Sequence, residues 1–170
     1  MLKPEPLNRA AFKPFGDVIE TAEATSYPIN DGMCTRFHDL AAVDVDEDGG
    51  RPLINLFRSK PWPLPLTVSL LERHPKSSQA FVPLSGAPFL VVVAPPGDAP
   101  TPGLVRAFAS DGRQGVNFHR GVWHHPLIAI GDESDFLVVD RGAEDENCDL
   151  HHFPSEAEPL VVTAQSGASG

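Results

Sequence analysis

Apolar residues fall in short runs along this chain, each bounded by Gly, Pro, Asp or Ser. The first half holds GDVIE at 16–20, TRFHDL at 35–40, LINLFR at 53–58, LTVSLLERH at 66–74 and QAFVPL at 79–84. The second half continues with FLVVVA at 89–94, LVRAFA at 104–109, VNFH at 116–119, VWHHPLIAI at 122–130 and DFLVVD at 135–140. All are rich in β-branched or aromatic residues, which fit a pleated, half-buried surface. Prolines at 52, 61, 63, 65, 75, 83, 88, 95, 96, 100 and 102 leave no gap there for a typical helix of about 11–12 residues. One helical turn fits at 8–13, where Asn8 can cap the free amides and Pro14 ends the segment. The pattern predicts an all-β sandwich or closed barrel with a short N-terminal helical turn, and it excludes a helical bundle.

Length adds one constraint: 170 residues suit a single core, expected over 1–154. The remainder, 155–170, ends in QSGASG, has no periodic apolar pattern, and is expected to be a disordered tail. Charge removes partners. The net charge of −10 repels phosphate backbones and anionic membrane surfaces, so no nucleic acid or membrane partner is expected. No apolar run approaches the roughly 20 residues of a membrane span, and no secretory signal is visible in MLKPEPLNRAAF, so a cytoplasmic location is expected. Cys34 and Cys148 form no CxxC pair and are expected to be reduced, non-catalytic thiols. The acidic stretch from Asp132 to Asp149 reads as a solvated rim.

Histidines carry the candidate chemistry. In LLERHPKSSQAFVPLSG, strand alternation places Glu72 and His74 on one face, and Gln79 returns on the next strand after a turn. In GVNFHRGVWHHPL, Gly121 permits a sharp turn, and alternation separates His124 from Trp123 and His125. Trp123 reads as core or interface, His125, His151 and His152 as structural or exposed, and Phe81, Phe89 and Phe118 as core.

The two histidine segments resemble the two motifs of the cupin fold. Glu72, His74, Gln79 and Gly86 stand at the first motif's spacing, and His119, Gly121 and His124 at the second's. This implies a cupin-like double-stranded β-helix, a jelly-roll barrel. Two of its four metal-ligand positions have changed type, to Glu72 and Gln79. A neutral amide binds divalent cations weakly. Glu72, His74, Gln79 and His124 are therefore expected to hold at most a loose divalent cation, Ni or Zn, that activity does not strictly need.

A closer resemblance runs from about Leu2 to Phe153, carried by GDVIE, RFHDL, PLTVSLLERHP, SQAFVPL, GVNFHRGVWHHPL, DFLVVDRG and NCDL. Over these stretches the chain is similar to the ureidoglycolate lyase family. The resemblance implies a cupin-like homodimeric enzyme that splits ureidoglycolate into glyoxylate and urea. Lys76 and Ser77 depart from the family pattern, so Lys76 takes no family role.

That substrate needs a base for its hydroxyl proton and an acid for the leaving nitrogen, roles that imidazoles fill near neutral pH. His74, His124 and Glu72 are the catalytic candidates. Gln79 and His119 are substrate-binding candidates, and Arg36, Arg58 or Arg120 can offer a planar fork to the substrate carboxylate, with Arg36 the first choice. Two other functions compete: a metal-dependent cupin oxygenase or isomerase, and a non-catalytic small-ligand-binding cupin.

Overall fold

The computed structural model describes residues 1–154 and 158–163. Its strands, in chain order, are β1 (Glu5–Pro6), β2 (Gly16–Ile19), β3 (Ser26–Ile29), β4 (Cys34–Phe37), β5 (Arg51–Ser59), β6 (Leu66–Val68), β7 (Leu70–Arg73) and β8 (Gln79–Pro83). They continue as β9 (Phe89–Ala94), β10 (Arg106–Ser110), β11 (Gly115–Phe118), β12 (Trp123–His124), β13 (Ile128–Ala129), β14 (Ser134–Gly142), β15 (Asp149–His152) and β16 (Leu160–Val162). A single turn of helix, α1 (Arg9–Phe12), is capped as expected: the Asn8 side chain accepts from the Ala11 amide at 2.9 Å. No helix among the described residues is long and apolar enough to cross a membrane.

Two facing sheets build an all-β sandwich. One is ordered β1-β10-β9-β12-β7-β15, with β13 also on β9, and the other β2-β11-β8-β14-β5. The central strand β9 explains the layering. Every residue of FLVVVA is buried, because the period-2 alternation feeds two apolar layers at once. Phe89, Val91 and Val93 point to the inter-sheet core, with Phe81, Phe118, Phe136 and Val138 opposite. Leu90, Val92 and Ala94 point the other way, where Leu71, Trp123, Val68 and Val162 cover them. Edge-to-face ring contacts, such as Phe89 on Phe136 at 5.3 Å, lock the inner layer.

Several elements differ from the sequence expectation. The run 122–130 is two strands, β12 and β13, because Pro126 has no amide to give the ladder. The run 66–74 splits at Ser69: β7 stays in the main sheet while β6 leaves to pair with β16. That pairing corrects the expectation of a disordered tail at 160–162, where Leu160 and Val162 join the outer apolar layer. The rest of the tail reading, 155–157 and 164–170, lies outside the described residues. Residues 35–37 form half of an exposed hairpin, β3–β4, that joins neither large sheet. Leu2 also meets the last described strand, bridging Val162 in parallel, and its amide donates to Val161 O at 2.7 Å.

Candidate active site

Three strands bring the histidine segments together on the inner face of the larger sheet. His124 of β12 is the direct cross-strand partner of both Glu72 on β7 and Val93 on β9. Directly opposed side chains share a face, so Glu72 and His124 project into the inter-sheet space beside Val93. Trp123, one residue earlier, points into the outer layer. The turn that sets this phase is at Gly121, where φ is +73°. Its amide donates to His74 O at 2.9 Å, tying the two histidine segments together.

Backbone carbonyls orient both rings. His74 Nδ1 donates to Asn147 O at 2.7 Å, and His124 Nδ1 donates to Val122 O at 3.1 Å. Each ring therefore turns the lone pair of Nε2 inward. Gln79 Oε1 lies 3.2 Å from His74 Nε2 and accepts from that nitrogen when it is protonated. His124 Nε2 is buried without a hydrogen-bond partner, and the nearest group is Glu72 Oε1 at 3.5 Å. A lone pair facing a carboxylate invites a proton or a cation between them. The ligand atoms of Glu72, His74 and His124 all lie within 4.8 Å of one another, so this donor set fits a divalent cation. Phe118, stacked on the His124 ring at 4.3 Å, fixes it from behind.

Burial pushes the His74 pKa below 6.5, and the neighbouring His124 adds to the shift, so His74 is neutral at neutral pH. Burial alone would raise Glu72, but contact with His124 and the charges of His74 and His125 outweigh it and hold the carboxyl below 4.5. The site therefore holds one anion and a neutral imidazole base.

Two cavities meet at Gln79. The larger, about 360 Å³, is flanked by Glu72, Arg58, Trp62 and Phe81. The smaller, about 210 Å³, is lined by His74, Ser77, Asp140, Asn147 and Cys148.

Residues 1–160 match the family described as ureidoglycolate lyase. The chain belongs to the ureidoglycolate lyase family. A ureidoglycolate lyase of Pseudomonas entomophila (strain L48) is 59% identical over 152 residues, 89% of this chain and 91% of that one. One of Pseudomonas aeruginosa (strain LESB58) is 54% identical over 165 residues, 97% of each chain. One of Burkholderia mallei (strain NCTC 10229) is 59% identical over 150 residues, 88% of each. The structure of RmlC from Streptococcus suis in complex with dTDP-D-xylose superposes with a TM-score of 0.47 at 12% identity, covering 86% of this chain and 72% of that one.

In this member of the ureidoglycolate lyase family, the structure gathers Glu72, His74, Gln79 and His124, and of the three candidate arginines it brings Arg58 to the larger cavity. Arg58 is exposed and forks onto Asp135 at 2.8 and 2.9 Å. Arg36, the first choice from sequence, stands instead on the exposed β3–β4 hairpin with its guanidinium 6.0 Å from the Tyr27 ring, and it lines neither cavity. Arg120 is held by Asp44 and Glu47, and His119 faces Asp17 at 3.1 Å, both outside the two cavities.

Sequence reasoning missed Asp140 and Asn147. The acidic stretch is not merely a solvated rim: Asp145 bridges Lys76 and Arg141, and Asp140 faces inward. Alternation from Phe136 and Val138 in DFLVVD is the signal that points Asp140 inward. Asn147 also clamps the turn after His74: its Oδ1 accepts from the Lys76 amide and its Nδ2 donates to Ser77 Oγ.

Proposed function

We propose that the protein cleaves ureidoglycolate to glyoxylate and urea, with His74, His124 and Glu72 as the reacting groups. The observation that carries this reading is the inward cluster of one carboxylate and two carbonyl-oriented imidazoles at the junction of two cavities. His74, neutral and with Nε2 facing the cluster, takes the proton of the substrate hydroxyl. The O–H electrons form the glyoxylate C=O, the C–N bond breaks, and its electron pair stays on the urea nitrogen. That nitrogen takes a proton from His124, whose Nε2 faces Glu72 Oε1 at 3.5 Å, so one proton leaves the substrate and one returns. Gln79 orients the substrate, and Arg58 receives its carboxylate at the larger cavity.

A divalent cation held by Glu72, His74 and His124 would supply Lewis-acid polarisation. The residues that do the proton chemistry are the chain's own, and activity does not strictly need the cation. The protein works as a homodimer in the cytoplasm. The exposed apolar Ile54 and Leu56 on the edge strand β5 support a second copy there, and two unpaired cysteines support a reducing compartment.

The test is incubation with ureidoglycolate, before and after chelation, with separate assays for glyoxylate, urea and ammonia. Equal glyoxylate and urea, largely retained after chelation, is the expected result. Ammonia as primary product would overturn the lyase reading, and complete loss on chelation with recovery at one metal per chain would overturn metal independence.

A further inference from the structure

We infer that the smaller cavity is a subsite for a neutral ureido group, with Asp140 as its recognition residue, so that the two halves of the substrate lie in different cavities. The inference rests on the proposed reaction. Asp140 follows Val138 on the inner face of β14, one step beyond the paired Val139 and Ala80, which sets it directly opposite Gln79. Its Oδ1 accepts from Asn55 Nδ2 at 2.9 Å, which fixes the carboxylate, while among the described residues Oδ2 accepts no protein hydrogen bond. Gln79, with its Oε1 3.2 Å from His74 Nε2, leaves its NH₂ group without a hydrogen bond among the described residues, free to donate to a ureido carbonyl. Across from them, buried Ser77 accepts from Asn147 Nδ2 at 2.8 Å, and its own hydroxyl proton is free to donate.

This set complements a ureido group, which has N–H donors on both nitrogens and one carbonyl acceptor. It does not suit a carboxylate. The nearby cations are spent: Arg141 is committed to Asp145 and to Glu47 O, with only 1% of its side chain exposed, and Lys76 is committed to Asp48 and Asp145. An anion there would face the Asp140 carboxylate, with Arg141 in the same lining already paired and enclosed. The larger cavity differs in its cation: Arg58, though paired with Asp135, is exposed and can turn its fork onto a substrate carboxylate. Gln79 belongs to both cavities and so marks where the bond between the two halves sits.

The test is product inhibition by urea and by glyoxylate, measured separately in the wild type, Asp140→Asn, Asp140→Ala and Asn55→Ala. Asp140→Asn and Asp140→Ala are expected to raise the urea inhibition constant at least tenfold while the glyoxylate constant stays within about twofold. Asn55→Ala, which leaves the carboxylate in place but frees its orientation, is expected to fall between, and it keeps the test alive if the Asp140 variants do not fold. Unchanged urea inhibition in folded variants, or an equal rise for both products, would overturn the subsite. Wild-type protein with neither turnover nor glyoxylate inhibition would instead remove the reaction itself.

Discussion

His124 and Trp123 are consecutive, yet one faces Glu72 and the other lies in the opposite apolar layer, and that single alternation decides which of them enters the candidate site. Replacing His74 or His124 with Ala is expected to lower kcat/KM by roughly 10²-fold or more, the scale of a positioned acid or base. His125→Ala should change it far less, because His125 donates to Pro126 O and packs edge-on against Trp62. Equal losses at 124 and 125 would contradict the alternation. The pH dependence follows from His74. A base must be unprotonated, and burial holds this pKa below 6.5, so the acid limb of kcat/KM should lie below 6.5. The same depression, shared by His125, means that the unfolded chain takes up protons first. Stability is therefore full above about pH 6.5 and is lost as pH falls through the lower folded values. Arginine is the second residue-scale case: Arg58→Ala should raise KM about tenfold with kcat largely kept, whereas Arg36→Ala should leave KM unchanged. The sequence favoured Arg36 because it opens a stretch shared with the family, but stretch similarity carries no information about which layer a hairpin joins. Asp140 was hidden for a different reason, since it sits in the middle of an acid-rich segment whose bland explanation is solvation.

At the scale of elements, most strands were legible because β-branched runs ended at turn residues, and the helical turn was legible because Asn8 and Pro14 bracket it. Boundaries inside a run were not. Pro126 breaks the ladder in the middle of an apolar stretch, and β6 swings away from β7 to meet β16, a partner nearly a hundred residues distant in sequence. Non-local pairing of that kind leaves no periodic trace in either segment. The Gly121 turn, by contrast, was predicted and is found, with its left-handed backbone and its bond to His74 O. Only Pro96 Cβ, at 4.0 Å, would touch an added methyl, so Gly121→Ala carries conformational strain rather than a clash. The cost is about 1–2 kcal/mol, and for a chain of this size Tm should fall by about 2–8 °C in calorimetry. An unchanged Tm would mean that the turn relaxes without effort. Because the same turn sets the phase of β12, kcat should drop along with stability.

For the whole molecule, two sheets face each other and each contributes part of the site: Glu72 and His124 from one, Gln79 and Asp140 from the other. Such a site exists only when the layers are stacked, so it should be lost in the same transition as the fold. The outer edge of the smaller sheet is less protected. On β5, Ile54 and Leu56 are 76% and 69% exposed. A long apolar edge is a pairing surface unless something covers it. The proposed homodimer does so. Sedimentation should give twice the chain mass, and Ile54→Lys with Leu56→Lys should shift the protein toward the single-chain mass; a dimer indifferent to both changes would place the interface elsewhere.

The bridge between Leu2 and Val162 bears on how the chain could be rewired. Because Leu2 and Val162 run side by side, a short glycine linker from Thr163 back to Met1, in place of residues 164–170, would close the backbone into a ring. The ring could then be opened at the exposed turn between Ser85 and Gly86, which lies between β8 and β9 and carries none of the site residues. In such a circular permutant Gln79 would come near the end of the chain and His124 into its first quarter, yet every strand would keep its neighbours. The arrangement of the site belongs to which strands touch, and the order in which the polypeptide visits them is free to change.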